Sequence, residues 1–227
     1  MRDFHTIGIC RFREASDVLF NEGFPADYVY VLCSGHVKLL ASSPEGRLLI
    51  LRVASPGDML GLGALLSSAV YCVTAQTLSP CTIKSIPRED FIRFVFAYPQ
   101  VSLLAAETLA RDYNCAVLAA RRFALSTSAA SKLASALLDW AYSGSPNSRG
   151  AHANLPIAFP AYVTHEDLGS MAGLSRETVC RLIGIFRRQG LIKLARQRMT
   201  LIDPRRMDSL YCEKPLRIPL APLHLTP

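Results

Sequence analysis

The residues best suited to chemistry are Arg176, Glu177 and Arg181, within Leu174-Ser-Arg-Glu-Thr-Val-Cys-Arg-Leu182. A guanidinium is a planar fork of donors that matches the O6/N7 edge of guanine, and a carboxylate accepts from the amino group of cytosine. This is hydrogen-bond chemistry on base edges, not bond making. At about 100° per residue, Arg176 and Arg181 lie about 140° apart, both near the groove-facing side of a helix, with Cys180 between them as a further base-facing candidate. The surrounding stretch, residues 164–192, predicts two short helices joined by a tight turn at Gly173. A short helix propping a second, polar-faced helix is the arrangement a major-groove reader needs. Ser175 is placed to cap the second helix, with Thr178 three residues on, where a capping box usually carries Glu. Val179, Leu182, Ile183 and Phe186 supply its apolar inner face. Thr164, His165, Ser175, Thr178, Arg187, Arg188, Lys193, Arg196 and Arg198 are suited to phosphate contacts, which position a protein on DNA without reading sequence. The plain alternative for the three charged residues is a solvated face holding an Arg–Glu pair; the turn and the apolar inner face weigh against it.

The rest of the chain must position this pair of helices. Residues 10–87 carry short β-rich runs broken by Gly and Pro: 29–33, 36–40, 47–53, 71–77 and 82–86. Runs at this spacing predict an antiparallel barrel or sandwich. The period then changes. Residues 88–97 predict a short helix with Phe91, Phe94 and Val95 toward a core. Pro99 opens a long Ala- and Leu-rich helix to about Phe123. Leu109, Tyr113, Ala116, Ala120 and Phe123 share one face of it, which suits packing on a second copy; lying across its own barrel is the alternative. Residues 125–128 predict a hinge with Ser128 as N-cap. A helix over 129–142 follows, with Leu133, Leu137, Leu138 and Trp140 toward the core, then a loop over 143–154 and a strand over 155–159. Residues 190–203 predict a two-stranded wing, and the Pro-rich segment 212–227 an irregular tail.

Composition sets the bounds. A chain of 227 residues, half of them apolar, holds two modest domains with real cores. A net charge of +7 suits a polyanionic partner. There is no run of 18 apolar residues, so no membrane span is expected, and the first residues carry no secretory pattern. The seven cysteines (Cys10, Cys33, Cys72, Cys81, Cys115, Cys180 and Cys212) form no C-x-x-C pair. That spacing predicts neither a disulfide framework nor a zinc site, but mostly buried free thiols in a reducing cytoplasm. No catalytic triad, Gly-rich phosphate loop or metal-ligand run is present, so no enzyme activity, cofactor or metal is expected.

In this order, a strand-rich barrel, a long helix, a hinge and a winged helix-turn-helix resemble the CRP/FNR family of bacterial transcription regulators. The resemblance spans roughly residues 12–210. It rests on Leu174–Leu182 with Gly190-Leu-Ile192, and on the barrel turns Asp17–Gly23, Tyr30–Leu39 and Pro56–Gly61. The family implies an α+β chain in three parts. These are a jelly-roll sensor like a cyclic-nucleotide-binding domain over 1–98, a dimerisation helix over 99–125, and a winged helix-turn-helix over 126–211 before the tail. It also implies a homodimer paired through residues 99–123 on double-stranded DNA, with RNA polymerase as a partner if the protein activates. The operator would be an inverted repeat. Arg176 makes a GTGA-like half-site the expectation, because readers of the TTGAT type carry an apolar residue there. Cys180 stands where both groups carry Gly or Ser.

The chain departs from relatives that bind cyclic AMP. They hold the ribose with a Glu after the barrel turn and the phosphate with a nearby Arg-Ser pair. Here Leu62 follows Gly61, Tyr71 and Cys72 stand near the Arg-Ser position with no basic residue, and Ala116-Val117 replace a Thr-Ser pair on the long helix. An anion buried without a countercharge is costly, so control by cyclic AMP is not expected. A modified pocket for a less charged ligand is the alternative. An iron–sulfur cluster lacks ligands, since only Cys10 precedes the barrel. Haem held by His36 and Cys72 competes with plainer readings, a surface His and a core-filling Cys. Thiol control through Cys72, Cys81 or Cys115 stays open.

Overall fold

A computed structural model describes residues 7–67, 69–143, 156–159, 163–195 and 198–211. The chain divides into two compact units, Met1–Tyr113 and Asn114–Pro227, and the division falls inside one helix.

The first unit is a pair of four-stranded antiparallel sheets. Its strands are β1 (Ile9–Arg13), β2 (Val18–Phe20), β3 (Tyr28–Ser34), β4 (Val37–Ser42), β5 (Leu48–Ala54), β6 (Met59–Leu60), β7 (Thr74–Thr77) and β8 (Cys81–Pro87). One sheet has the order β1-β8-β3-β6 and the other β2-β7-β4-β5. The sheets stack as a jelly roll, and among the described residues no hydrogen-bonded ladder closes them into a continuous barrel. Alternation explains the stacking. Leu32, Val37, Ala54, Leu60, Ala75 and Ile83 all turn into the space between the sheets and form one apolar cluster. The other face of the first sheet is covered by α1 (Leu62–Leu66), α2 (Arg88–Ala97) and the start of α3 (Pro99–Leu125). There Val29 and Ile86 meet Leu62, Leu65, Phe91 and Ala105, with Leu109 and Val95 packed against them.

The second unit is helical, with a small sheet. Its elements after α3 are α4 (Ala129–Ser143), β9 (Ile157–Ala158), α5 (His165–Ala172), α6 (Arg176–Arg188), β10 (Ile192–Ala195), β11 (Arg198–Leu201) and α7 (Pro204–Tyr211). The Ser128 hydroxyl accepts from the Ser131 N–H at 3.0 Å, which is the predicted cap of α4. Leu133 and Leu137 are fully buried. Trp140 packs on Phe159 with ring centroids 4.6 Å apart. The wing hairpin β10–β11 gains a third strand, because β9 pairs with β11.

Several expectations fail for identifiable reasons. The run 71–77 forms a strand only from Thr74, because Tyr71 exchanges backbone hydrogen bonds with the 23–24 turn instead of extending β7. On α3, Leu109 faces the first unit's apolar cluster and Phe123 is half-buried beside Gly173, so only Tyr113, Ala116 and Ala120 of the expected face are exposed. The thiols are not mostly buried. Of the six described, Cys81 alone is buried, Cys115 is intermediate, and Cys10, Cys33, Cys72 and Cys180 are exposed. Cys72 therefore fills no core. His36 is half-buried, and burial holds its imidazole below the ordinary histidine range. The expected loop over 143–154 and the tail over 212–227 lie outside the described residues, except that Ser143 ends α4.

Candidate nucleic-acid interface

The reading helix is built from its caps inward. Thr164 and Asp167 form a complete capping box at the start of α5: the Asp167 N–H donates to the Thr164 hydroxyl at 3.1 Å, and the Thr164 N–H to the Asp167 carboxylate at 3.0 Å. The Thr164 hydroxyl also donates to Asp167, at 2.8 Å. Both donors of Thr164 are thus engaged inside the protein. α5 ends at Gly173, whose φ of 65° is left-handed and whose missing Cβ would lie 2.6 Å from the Phe123 ring. Ser175 then caps α6, accepting from the Thr178 N–H at 3.3 Å and donating to the Thr178 hydroxyl.

One further residue sets this turn, and sequence reasoning passed over it. A Cβ on Gly169 would sit 2.6 Å from the Leu174 carbonyl oxygen, while the Leu174 N–H donates to the Gly169 carbonyl. The two helices can approach this closely because position 169 has no side chain. A glycine in the middle of a short helix was the available signal, since helix interiors disfavour it by about 1 kcal/mol relative to Ala.

On α6 the two faces separate cleanly. Val179, Leu182, Ile183 and Phe186 are buried, while Arg176, Glu177, Cys180 and Arg181 are exposed. Burial of four such side chains is worth about 1.5–3 kcal/mol each and fixes which way the polar face points. The four base-reading candidates therefore share one solvent-facing surface, beginning at the helix N-terminus. The Glu177 carboxylate is held below its usual range, first by its own backbone N–H, then by the Ser175 hydroxyl, with Arg176 adding to both.

The phosphate candidates are spread around this face. His165 is half-buried at the start of α5, Arg187 and Arg188 are exposed in the last turn of α6, and Lys193 is exposed on β10. Arg198 begins β11, and Arg196 lies outside the described residues. α7 was not foreseen. It packs on α4, sets the Tyr211 ring at a tilt against Phe186 with centroids 4.9 Å apart, and lets the Tyr211 hydroxyl donate to Gln189 at the end of α6.

The expected effector-pocket residues are brought together only in part: Gly61 and Tyr71 meet, while Leu62 belongs to the other apolar cluster. Gly61 adopts φ 79°, and a Cβ there would lie 2.7 Å from the Tyr71 ring. Tyr71 stacks on Phe20 with centroids 4.0 Å apart and donates its hydroxyl to the Tyr28 carbonyl at 2.6 Å. Burial, the largest influence, raises the Tyr71 phenol well above its ordinary range. Leu62 is fully buried in the apolar cluster beneath α1. Cys72 faces solvent. Ala116 and Val117 belong to the part of α3 in the second unit. Among the described residues, no group of three or more His, Cys, Asp or Glu is placed to hold a metal ion. No described helix is long and apolar enough to cross a membrane.

Comparison with known proteins agrees with this geometry. Residues 10–98 match the cyclic nucleotide-binding domain model, and residues 131–210 the Crp-like helix-turn-helix domain model. The chain is 29% identical over 198 residues to the transcriptional activatory protein AadR of Rhodopseudomonas palustris, covering 86% of this chain and 77% of that protein. It is 27% identical over 214 residues to the nitrogen fixation regulation protein FixK of Bradyrhizobium diazoefficiens, covering 92% and 85%. Its fold is similar to the solved structure of FixK2 from Bradyrhizobium japonicum, with a TM-score of 0.75, 21% identity, and coverage of 92% of this chain and 100% of that one. A jelly-roll unit of the cyclic-nucleotide-binding type, followed by a Crp-like helix-turn-helix, places this chain in the CRP/FNR family of DNA-binding transcription regulators.

Proposed function

We propose that this regulator binds an inverted-repeat operator as a homodimer, reads a GTGA-like half-site with Arg176, Glu177, Cys180 and Arg181, and works without cyclic AMP. The observation that carries the reading is the split of α6 into a buried apolar face and an exposed face holding those four residues. Exposure along α3 supports the dimer. Ala106, Ala110, Tyr113, Ala116 and Ala120 recur at steps of three and four and face solvent, with Tyr113 70% exposed. Small and apolar side chains at that spacing let two helices pack closely. His165, Arg187, Arg188, Lys193, Arg196 and Arg198 would meet phosphates. Thr164, Ser175 and Thr178 act one step back, because their side chains are used in capping. The protein acts by binding in the cytoplasm, with RNA polymerase as its partner wherever it activates.

The full burial of Leu62 among apolar side chains supports independence from cyclic AMP. A ribose-binding carboxylate at position 62 would be buried in apolar surroundings, which is costly. A second reading keeps the first unit as a small-ligand sensor. It is favoured by the match over residues 10–98 and by a 26% identical relative described as a CRP-like cAMP-activated global transcriptional regulator of Mycobacterium tuberculosis.

Selection from randomised duplexes, with sizing of the bound species, tests the first reading. The expected result is two GTGA-like half-sites in inverted orientation bound by a dimer. A single unrepeated site bound by a monomer overturns it. Calorimetry with cyclic AMP separates the two readings, since a micromolar isotherm would favour the second.

A further inference from the structure

Two arginines and two aspartates of the first unit form one connected cluster where the jelly roll meets α3. Arg52, on β5, is 8% exposed and divides its guanidinium between two carboxylates: Nη1 donates to Asp58 at 2.8 Å, and Nη2 lies 2.9 Å from Asp112 on α3. Arg111, also on α3, donates to the other Asp58 oxygen at 2.6 Å. Asp58 is itself rigidly held. Its carboxylate accepts from the Ser55 N–H at 3.0 Å, and its carbonyl accepts from the Leu32 N–H in β3. The fold and the reading face leave this cluster without a role.

The cluster is poorly explained as a source of stability. Burial is the largest influence on Asp112 and pushes its carboxyl above the ordinary range, although Arg52 opposes the shift. About a third of the Asp112 side chain is exposed, so its ion pair adds little net stability, and apolar residues would hold α3 down as well. What charges add is direction. The α3 face turned to the sheet runs Ala105, Thr108, Leu109, Asp112, at steps of three, one and three. Ala105 and Leu109 make apolar contacts that tolerate rotation and sliding. A planar fork bridging a fixed carboxylate and a helix carboxylate tolerates little of either. Tyr113, next in sequence, is turned about 100° from Asp112 on the helix. Fixing Asp112 therefore fixes where Tyr113, Ala110 and Ala106 point.

We propose that Arg52, Asp58, Arg111 and Asp112 are positioning residues that set the rotation of α3 on the jelly roll, and so the direction of the stripe that receives a second copy of this chain. This rests on the pairing through α3 argued above. The charged cluster confers orientation, and the apolar contacts confer stability.

The test uses the full chain with Asp112→Asn, Arg52→Lys and the double variant. Lysine keeps the charge and loses the fork. Each single variant is expected to raise the homodimer dissociation constant in sedimentation by about tenfold, and the double variant no further, since contacting residues act as one unit. The thermal midpoint of Asp112→Asn should stay close to that of wild type, because the asparagine carbonyl oxygen still accepts from Arg52 and Arg52 keeps its pair with Asp58. Dimerisation within twofold of wild type in both single variants overturns the proposal. So does a loss of dimer that follows a loss of thermal stability, which is the mark of simple structural damage. A wild type that stays monomeric overturns the pairing reading instead. Amide exchange over residues 105–113 then decides alone: exchange about tenfold faster in Asp112→Asn supports positioning, and unchanged exchange overturns it.

Discussion

Arg176→Ala separates reading a base from merely being charged. Arg176 is exposed at the first position of α6, while Val179, Leu182, Ile183 and Phe186, which hold the helix down, face the other way. Truncation there should change folding stability by at most about 0.5 kcal/mol. Any larger effect on DNA binding is then a binding effect. A bidentate pair with one guanine is worth about 1–3 kcal/mol of discrimination. A symmetric operator carries the pair twice, so the dimer should lose about 2–6 kcal/mol, roughly 30-fold to 20,000-fold in affinity for its preferred site. Affinity for unrelated DNA should hardly change, and neither should the slope of log affinity against log salt. Lys193→Ala should do the reverse. It should weaken all sequences alike and lower the salt slope by about 0.9 for each phosphate released. The assay is selection from randomised duplexes with wild type and Arg176→Ala, followed by titrations at about 50 and 200 mM salt, where counterion release is easily read. If wild type and Arg176→Ala select the same bases with equal sharpness, Arg176 does not read a base. Its charge then belongs to the solvated surface.

Other consequences are open to measurement. Tyr113→Glu puts a charge into the exposed α3 stripe and should shift sedimentation toward monomer while the thermal midpoint holds; unchanged dimer content would remove the stripe from the interface. Tyr71→Phe takes a hydrogen bond from the part-buried Tyr28 carbonyl and should cost about 0.5–1.5 kcal/mol in urea unfolding, the net worth of one such bond. Cyclic AMP should still fail to bind that variant, because no arginine is gained. Burial lowers the His36 pKa in the fold, so the unfolded chain binds more protons as pH falls below about 6.5 and stability declines there. His36→Asn should flatten that part of the stability–pH curve. An equal slope in the variant would assign the decline to other groups.

What the sequence made legible follows from the range of each signal. Periods of 3.6 residues marked α2, α3, α4 and α6, because each buries one face within its own length. The turn at Gly173 and the caps at Ser128 and Ser175 were legible because a cap is decided by its nearest neighbours. The missed elements depend on distant partners. β1 is exposed along most of its length and is a strand because β8 lies beside it. β6 has two residues, defined by Tyr30 and Val31 of β3. α7 is polar on most positions and gains its place through Pro204 and Met207, which are buried. The direction of Leu109 was misjudged for the same reason. The helical pattern shows which residues share a face, but not whether that face meets the jelly roll or a second copy. The charged cluster could not be read at all, since Arg52, Asp58 and Asp112 become neighbours only through the fold. The reading face was the most legible part, because α6 sorts its buried and exposed residues by its own period.

The unbroken run of α3 from Pro99 to Leu125 constrains how this chain can change length over evolutionary time. A loop absorbs an inserted residue by bulging outward. A helix passes it on as about 100° of rotation and 1.5 Å of advance to everything downstream. A single insertion between Ala110 and Ala116 would point the two halves of the exposed stripe in different directions. Insertions of seven residues, close to two full turns, are the smallest that nearly restore the phase. Length differences among relatives should therefore gather in the connections outside α3. Any that fall within it should be of about seven, eleven or eighteen residues, the lengths that nearly restore the phase.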